Sequence, residues 1–226
     1  YQKVHNFCAN EMGSLYLDIT KDRQYTMKEE SVGRRSAQTA MYHILEALTR
    51  WIAPILSFTA DELWQHLPGE RNESVMLNTW YDQLTPLAET TELDVAFWNE
   101  LFTVRDAVSK QLEVLRNDGK IKGGLTAEIS LYADAPLKAV LDKVETELKF
   151  VLITSKVTLL PMSDKPSDAV DSELAGLALL AVPTEHARCD RCWHQTAEVG
   201  QDETHPELCG RCIGNIDGEG EQRHYA

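Results

Sequence analysis

Through the first half of the chain, apolar residues return every three to four positions. In "SAQTAMYHILEALTRWIAP", Ala37, Ala40, Met41, Ile44, Leu45, Leu48, Trp51 and Ile52 fall on one helical face, with Ser36 the predicted N-cap and Pro54 the stop. Thr59 and Glu62 form a capping-box pattern ahead of Leu63, Trp64 and Leu67, and "LPG" closes that helix. Residues 68–90 mix turn residues with a short apolar run and read as a connection draped over the helices. A further stripe, Leu93, Phe97, Leu101, Val104, Val108, Leu112 and Leu115, runs to "NDGK". The opening stretch already carries Val4, Phe7, Cys8, Met12, Leu15 and Ile19, which predicts a helix in mid-course with Cys8 as a buried core thiol. That stretch, and a first residue that is not Met, read as a piece of a longer protein. Each stripe is apolar on one side only, so residues 1–118 are expected to form an antiparallel bundle.

From Gly119 the texture changes. "KIKGG" reads as a hinge, and "AEISLYA" alternates like a half-buried strand. "PLKAVLDKVETELKFVL" returns to helical spacing, and "SKVTLLP" and "LAGLALLAV" read as strands on either side of the polar loop "MSDKPSDAVDSE". Residues 119–184 are thus expected to be a small α+β unit, and 185–226 a cysteine-bearing terminal unit. The predicted fold class is mainly α.

Composition narrows the function. The 226 residues carry a net charge of −14, which argues against a sequence-blind coat on nucleic acid but leaves room for a local basic face. Its candidates are Lys21 with Arg23, Arg34 with Arg35, Lys120 with Lys122, and Arg188, Arg191 and Arg211. Solvated surface is the plain alternative for any one of these doublets. No run approaches the roughly 20 apolar residues that cross a bilayer, and no secretory signal is visible.

Four of the five cysteines stand in "CDRCWHQTAEVGQDETHPELCGRC": Cys189, Cys192, Cys209 and Cys212. Two Cys-x2-Cys pairs at this separation fit a structural zinc site, closed by four thiolates and so without a position for substrate. Gly210 is expected to relieve the second tight turn through positive φ, and Arg191 and Arg211 to offset the excess charge of a tetrathiolate. Iron in the same site, a redox pair or two disulfides remain open; nothing suggests the export that disulfides need. His194 and His205 read as loop residues. Trp193 fits either an unpaired base or the knuckle itself as a packing cover.

At this point a resemblance enters. "LYLDITKDRQYT", "SVGRRSAQTAMYHILEALTRWIAPILSFTADELWQHLPGE", "FVLITSKVTLL", "CDRCW" and "GEGEQRHYA" together resemble the C-terminal third of bacterial isoleucyl-tRNA synthetases, in order and over essentially the whole chain. The resemblance implies a helical anticodon-binding domain, a small α+β junction and a terminal four-cysteine zinc domain that helps hold the anticodon stem-loop. It also implies a cytoplasmic, monomeric parent that joins isoleucine to its tRNA with ATP and Mg. The parent's catalytic and editing domains lie upstream in the family, in contact with this part. Their HIGH and KMSKS signatures are absent here, "PMSDK" at Pro161–Lys165 being a chance echo, so no ligase activity is expected of these residues alone. Lys21, Arg23, Arg34, Arg35, Arg191, Trp193 and Arg211 are the expected RNA contacts, with salt bridges to Asp18, Asp22, Glu29 or Glu30 as the competing use of the cations. The rival reading is a zinc-containing protein-interaction scaffold. An independent enzyme would need a nucleophile–base pair that no spacing here suggests.

Overall fold

The computed structural model of the chain describes residues 1–88 and 91–226. The chain opens with α1 (Gln2–Asn6), continues through a π-helical stretch (Phe7–Leu17) and becomes α2 (Asp18–Thr26). The π-helical bonding, with its i+5 repeat, turns side chains away from a 3.6-residue stripe. That is why Cys8 is exposed rather than a core thiol. Of the apolar stripe drawn from Val4 to Ile19, Val4, Phe7, Met12 and Leu15 are half-buried and Ile19 is buried, and Cys8 alone is exposed.

α3 (Val32–Ile52) is capped by Ser31, whose Oγ accepts the Arg34 N–H at 3.3 Å; Ser36 lies inside the helix and donates to the Gly33 carbonyl. The sequence "VGRR" has no apolar periodicity, which hides the first turn from a pattern reading. α4 (Ser57–His66) likewise begins ahead of the expected capping box, behind Leu56 and with no side-chain cap. The connection that follows is stapled to the helices. Trp64 donates its indole N–H to the Asn72 carbonyl at 2.9 Å, and the guanidinium groups of Arg50 and Arg71 lie 4.7 and 4.6 Å from its ring centroid. Both arginines meet the buried Glu46. Residues 89 and 90, the end of the predicted connection, lie outside the described residues.

α5 (Val95–Asn117) is capped by Asp94, which accepts the Phe97 N–H at 2.8 Å. Its stripe of Phe97, Leu101, Val104, Val108 and Leu115 is buried in one core with the sheet that follows. The sheet comprises β1 (Ala127–Ala133), β2 (Lys156–Pro161), β3 (Val170–Asp171) and β4 (Leu177–Pro183), in the order β2-β1-β4-β3. β1 runs parallel to β2 and antiparallel to β4, with Leu131 opposite Leu159 and Leu179. Between β1 and β2 lie α6 (Ala135–Leu141), a 3-10 stretch kinked at Val144, and α7 (Leu148–Val151). Ile129 and Leu131 belong to the main core with α5 and α6, while Tyr132 packs with Ala178 in a smaller cluster, as the two-residue period of a strand requires. The short strand β3 falls within the stretch expected to be a polar loop; two residues of pairing leave no readable alternation.

α8 (Gly210–Ile216) begins beside the last cysteine pair. No helix among the described residues is long and apolar enough to cross a membrane.

Candidate metal centre and the cleft beside it

The sulfurs of Cys189, Cys192, Cys209 and Cys212 all lie within 4.8 Å of one another, and all four residues are buried. The first pair sits on a hairpin closed by the Cys189 N–H to His194 carbonyl bond and the Trp193 N–H to Cys189 carbonyl bond, each 2.9 Å. The second pair opens α8. The Cys209 N–H donates to Cys189 Sγ at 3.4 Å, a bond that orients one sulfur inward. The Cys192 and Cys209 sulfurs lie 3.7 Å apart, and hydrogen bonding within the cluster lowers the Cys209 thiol and raises that of Cys212. Four sulfurs so close together are a soft, closed donor set, which suits one tetrahedral zinc ion and leaves no open coordination position.

The left-handed backbone of this site is at Trp193 (φ 68°), not at Gly210. Gly210 instead starts α8 and donates its N–H to Glu198 at 3.0 Å. Trp193 accepts about 1–2 kcal/mol of local strain in that conformation, and its side chain remains 61% exposed. His194 is buried, edge-on to Phe150 at 5.7 Å between ring centroids, and His205 pairs with Asp217 at 2.9 Å; neither belongs to the sulfur cluster.

Beside the first knuckle, α2 forms one wall of a mainly apolar cleft of about 270 Å³. Its lining includes Lys21, Tyr25, Phe150, Arg191, Trp193 and His194. Tyr25 and Trp193 are both mostly exposed, 78% and 61%. Arg191 and His194 carry buried nitrogens with no protein partner. Of the seven residues expected to contact RNA, the structure brings Lys21, Arg191 and Trp193 to this cleft. Lys21 also meets Asp18 at 2.6 Å, both on the surface.

The other four sit elsewhere. Arg23 is buried and donates to the Gly33 carbonyl; burial, and then the charge of Arg223, depress its pKa. Arg34 reaches the Met27 carbonyl at 3.4 Å, and Arg35 meets Glu30 at 2.6 Å on the surface. Arg211 is partly buried in a fork onto Asp22, with Nη1 and Nη2 at 2.8 and 3.0 Å from the two carboxylate oxygens, and also meets Glu221 at 3.0 Å. Burial alone would lower its pKa, but these carboxylates outweigh that and raise it. The sequence reading does not single out Tyr25, yet a signal is there: an aromatic four residues after Lys21 on one helix face.

Comparison with known proteins decides the family. Residues 1–131, more than half of the chain, match the family model described as the anticodon-binding domain of tRNA ligase. The chain belongs to that family. Residues 188–214 of this anticodon-binding chain match a second model, a zinc finger found in FPG and IleRS, so the closed sulfur cluster is a zinc site. The chain is similar to the isoleucine–tRNA ligases of Stutzerimonas stutzeri (59% identical over 226 residues) and of Pseudomonas entomophila (58%). A Pseudomonas aeruginosa isoleucine–tRNA ligase is also 58% identical. Each alignment takes in the whole of this chain but 24% of the relative, so the chain spans about a quarter of the length of the curated relatives it matches.

Proposed function

We propose that this chain holds the anticodon region of a transfer RNA that accepts isoleucine, as part of a ligase that joins the two with ATP. The observation that carries this reading is the cleft between α2 and the zinc hairpin. Two exposed aromatics, Tyr25 and Trp193, stand among its lining residues with Lys21 and Arg191, so a splayed base can stack while cations meet its phosphate. Local cations suffice for this in a chain of net charge −14. Arg35, exposed at the start of α3, adds a phosphate contact from outside the cleft.

In this reading Cys189, Cys192, Cys209 and Cys212 hold the zinc. The ion supplies folding energy to a hairpin whose loop is too polar to build a core, and these residues take no part in bond making. Arg211, Arg23 and Arg34 act within the protein, keeping α2, α3 and α8 in place. We retain three units, 1–118, 119–184 and 185–226, with the first two moving together because α5 and the sheet share one core. The parent is a cytoplasmic monomer whose catalytic domain contacts this part.

Titration of the zinc-loaded chain with isoleucine tRNA and an anticodon-swapped version tests the reading. Preference for the cognate anticodon is expected. Equal, strongly salt-dependent affinity would reduce the role to phosphate contact. Failure to bind either would favour a scaffold, the reading supported by the exposed Ile55, Leu56 and Phe58 at the turn between α3 and α4.

A further inference from the structure

The last nine residues, Gly218–Ala226, contain no regular element, yet their second half is locked into the molecule. The buried carboxylate of Glu147 accepts three successive backbone N–H groups, from His224 at 2.7 Å and from Tyr225 and Ala226 at 2.8 Å each. Three charge-assisted bonds to one buried acceptor fix the backbone of an irregular tail as firmly as a strand would. Glu221 is fixed at the other end. Its N–H donates to the Asn215 side chain of α8, and its carboxylate receives both Asn215 and Arg211.

Between these anchors, Arg223 lies 3.7 Å above the centroid of Phe150, is 5% exposed, and pairs with Asp22 of α2. Asp22 is also the partner of Arg211, whose neighbour in sequence is the zinc-site residue Cys212. The tail therefore meets three parts of the molecule: α2 through Asp22, α8 through Asn215 and Arg211, and the turn around Glu147 through that residue's own carboxylate. Asp22, Thr26 and Phe150 line the cleft, and each touches Arg211 or Arg223, neither of which lines it.

We propose that the tail is a latch that sets the width of the cleft, with Arg223, Glu221 and Glu147 as positioning residues. A zinc hairpin is rigid within itself, but its placement against α2 needs contacts of its own. The cysteine cluster is a separate small core that meets the main one through His194 on Phe150 and through the Gln195 N–H, which donates to Ser155 Oγ at 2.7 Å, while the ties to Asp22 on α2 come from Arg211 and the tail. Ion pairs in which each carboxylate and guanidinium has a fixed partner supply direction as well as attachment. Released from the latch, the hairpin keeps its metal but loses its register against α2, and its knuckle and α8 hydrogen bonds open more often. Tyr25 and Trp193 then no longer stand at one separation. The inference rests on the reading of the cleft as the RNA site, and its test separates the two.

The first measurement is amide hydrogen exchange by mass spectrometry on the zinc-loaded chain without RNA, for Arg223→Met, whose stem can still cover Phe150. Amides in 189–195 and 210–216 are expected to exchange about tenfold faster, with zinc still one per chain and β1 and α5 unchanged. Acceleration confined to 218–226, or spread evenly through the main core, overturns the latch. Should Arg223→Met fail to fold, Glu221→Gln removes one arm only and must accelerate the same two segments roughly threefold, or the latch is wrong. The second measurement compares cognate and anticodon-swapped tRNA. A latch variant is expected to lose most of the preference while retaining salt-dependent binding. An unchanged preference alongside accelerated exchange leaves the tail as a clamp without control of RNA fit, which overturns the positioning role. If the unaltered chain shows no preference at all, it is the cleft reading that fails, and the exchange result still decides the latch.

Discussion

Asp22 and Arg211 meet carboxylate to guanidinium through two parallel bonds of 2.8 and 3.0 Å, although 189 residues of chain separate them. The fork is mostly buried, so lysine cannot replace it: one ammonium offers no second parallel donor and cannot hold the Asp22 carboxylate in a fixed plane. Arg211→Lys is expected to destabilise the chain by about 2 kcal/mol, read as a lowered midpoint in urea, with zinc content unchanged. Loss of zinc from this variant would mean that Arg211 acts on the metal site and not on the docking of α8.

Removing the metal should have a local effect. A strong chelator is expected to abolish exchange protection across 188–216 while β1, β4 and α5 keep theirs, because the cysteine cluster is a core of its own. Cys192→Ala should reproduce this without chelator. A single global unfolding transition on chelation would show that the sheet depends on the zinc unit, contrary to the separation of the cores.

On the proposed reading of the cleft, stacking gives the aromatic pair a measurable share in RNA affinity. Trp193→Ala is expected to weaken tRNA binding by about 1–3 kcal/mol, with little change in salt dependence, since no phosphate contact is lost. Lys21→Met should do the reverse, lowering the salt slope by roughly one phosphate contact with a smaller change in affinity. Binding assays across a salt series distinguish the two. A steeper loss of salt dependence for Trp193→Ala than for Lys21→Met would contradict the assignment.

The cluster around Glu46 predicts an acid response. Burial would raise the Glu46 pKa, but hydrogen bonds from Arg71 and Arg50 outweigh burial and hold it at about 2, against an ordinary 4.5. A carboxyl depressed in the folded state stabilises the fold above the unfolded pKa, and that contribution drains away as pH falls through the folded value. The contribution should thus be whole above about pH 5 and decline between there and about pH 2. Glu46→Gln removes this part of the acid dependence. It also costs about 3 kcal/mol at neutral pH, because two arginines lose the charge they surround. Urea midpoints of the two proteins between pH 3 and pH 7 should converge as the pH falls. Midpoints that keep a constant offset would place the acid sensitivity elsewhere.

How much of this is legible depends on distance along the chain. β1 shows in the sequence by its alternation and β2 and β4 as short apolar runs, all local signals, and the four cysteines announce a metal by spacing alone. The first turn of α3 does not show, since Val32, Gly33, Arg34 and Arg35 carry no stripe and the cap is a lone Ser31. The fate of the arginines is least legible. Arg34, Arg35 and Arg211 look alike on paper, but Asp22 claims Arg211 from 189 residues away, and no local pattern encodes that. Glu147 is the same case: one acid in "KVETELKF" whose role depends on a tail 77 to 79 positions later. Trp193 is an open choice between cover and contact in the sequence, and its left-handed backbone and its exposure could not have been read there.

The long reach of the Asp22 pair has a consequence for how the protein is made. At about 5–20 residues per second, a ribosome adds Arg211 roughly 10–40 s after Asp22, and Arg223 later still. During that interval α2 is present without either of its guanidinium partners, and the hairpin that will face it has neither been synthesised nor met its metal. The cleft wall is therefore the last surface of these 226 residues to mature, and its completion waits on cellular zinc supply as much as on translation.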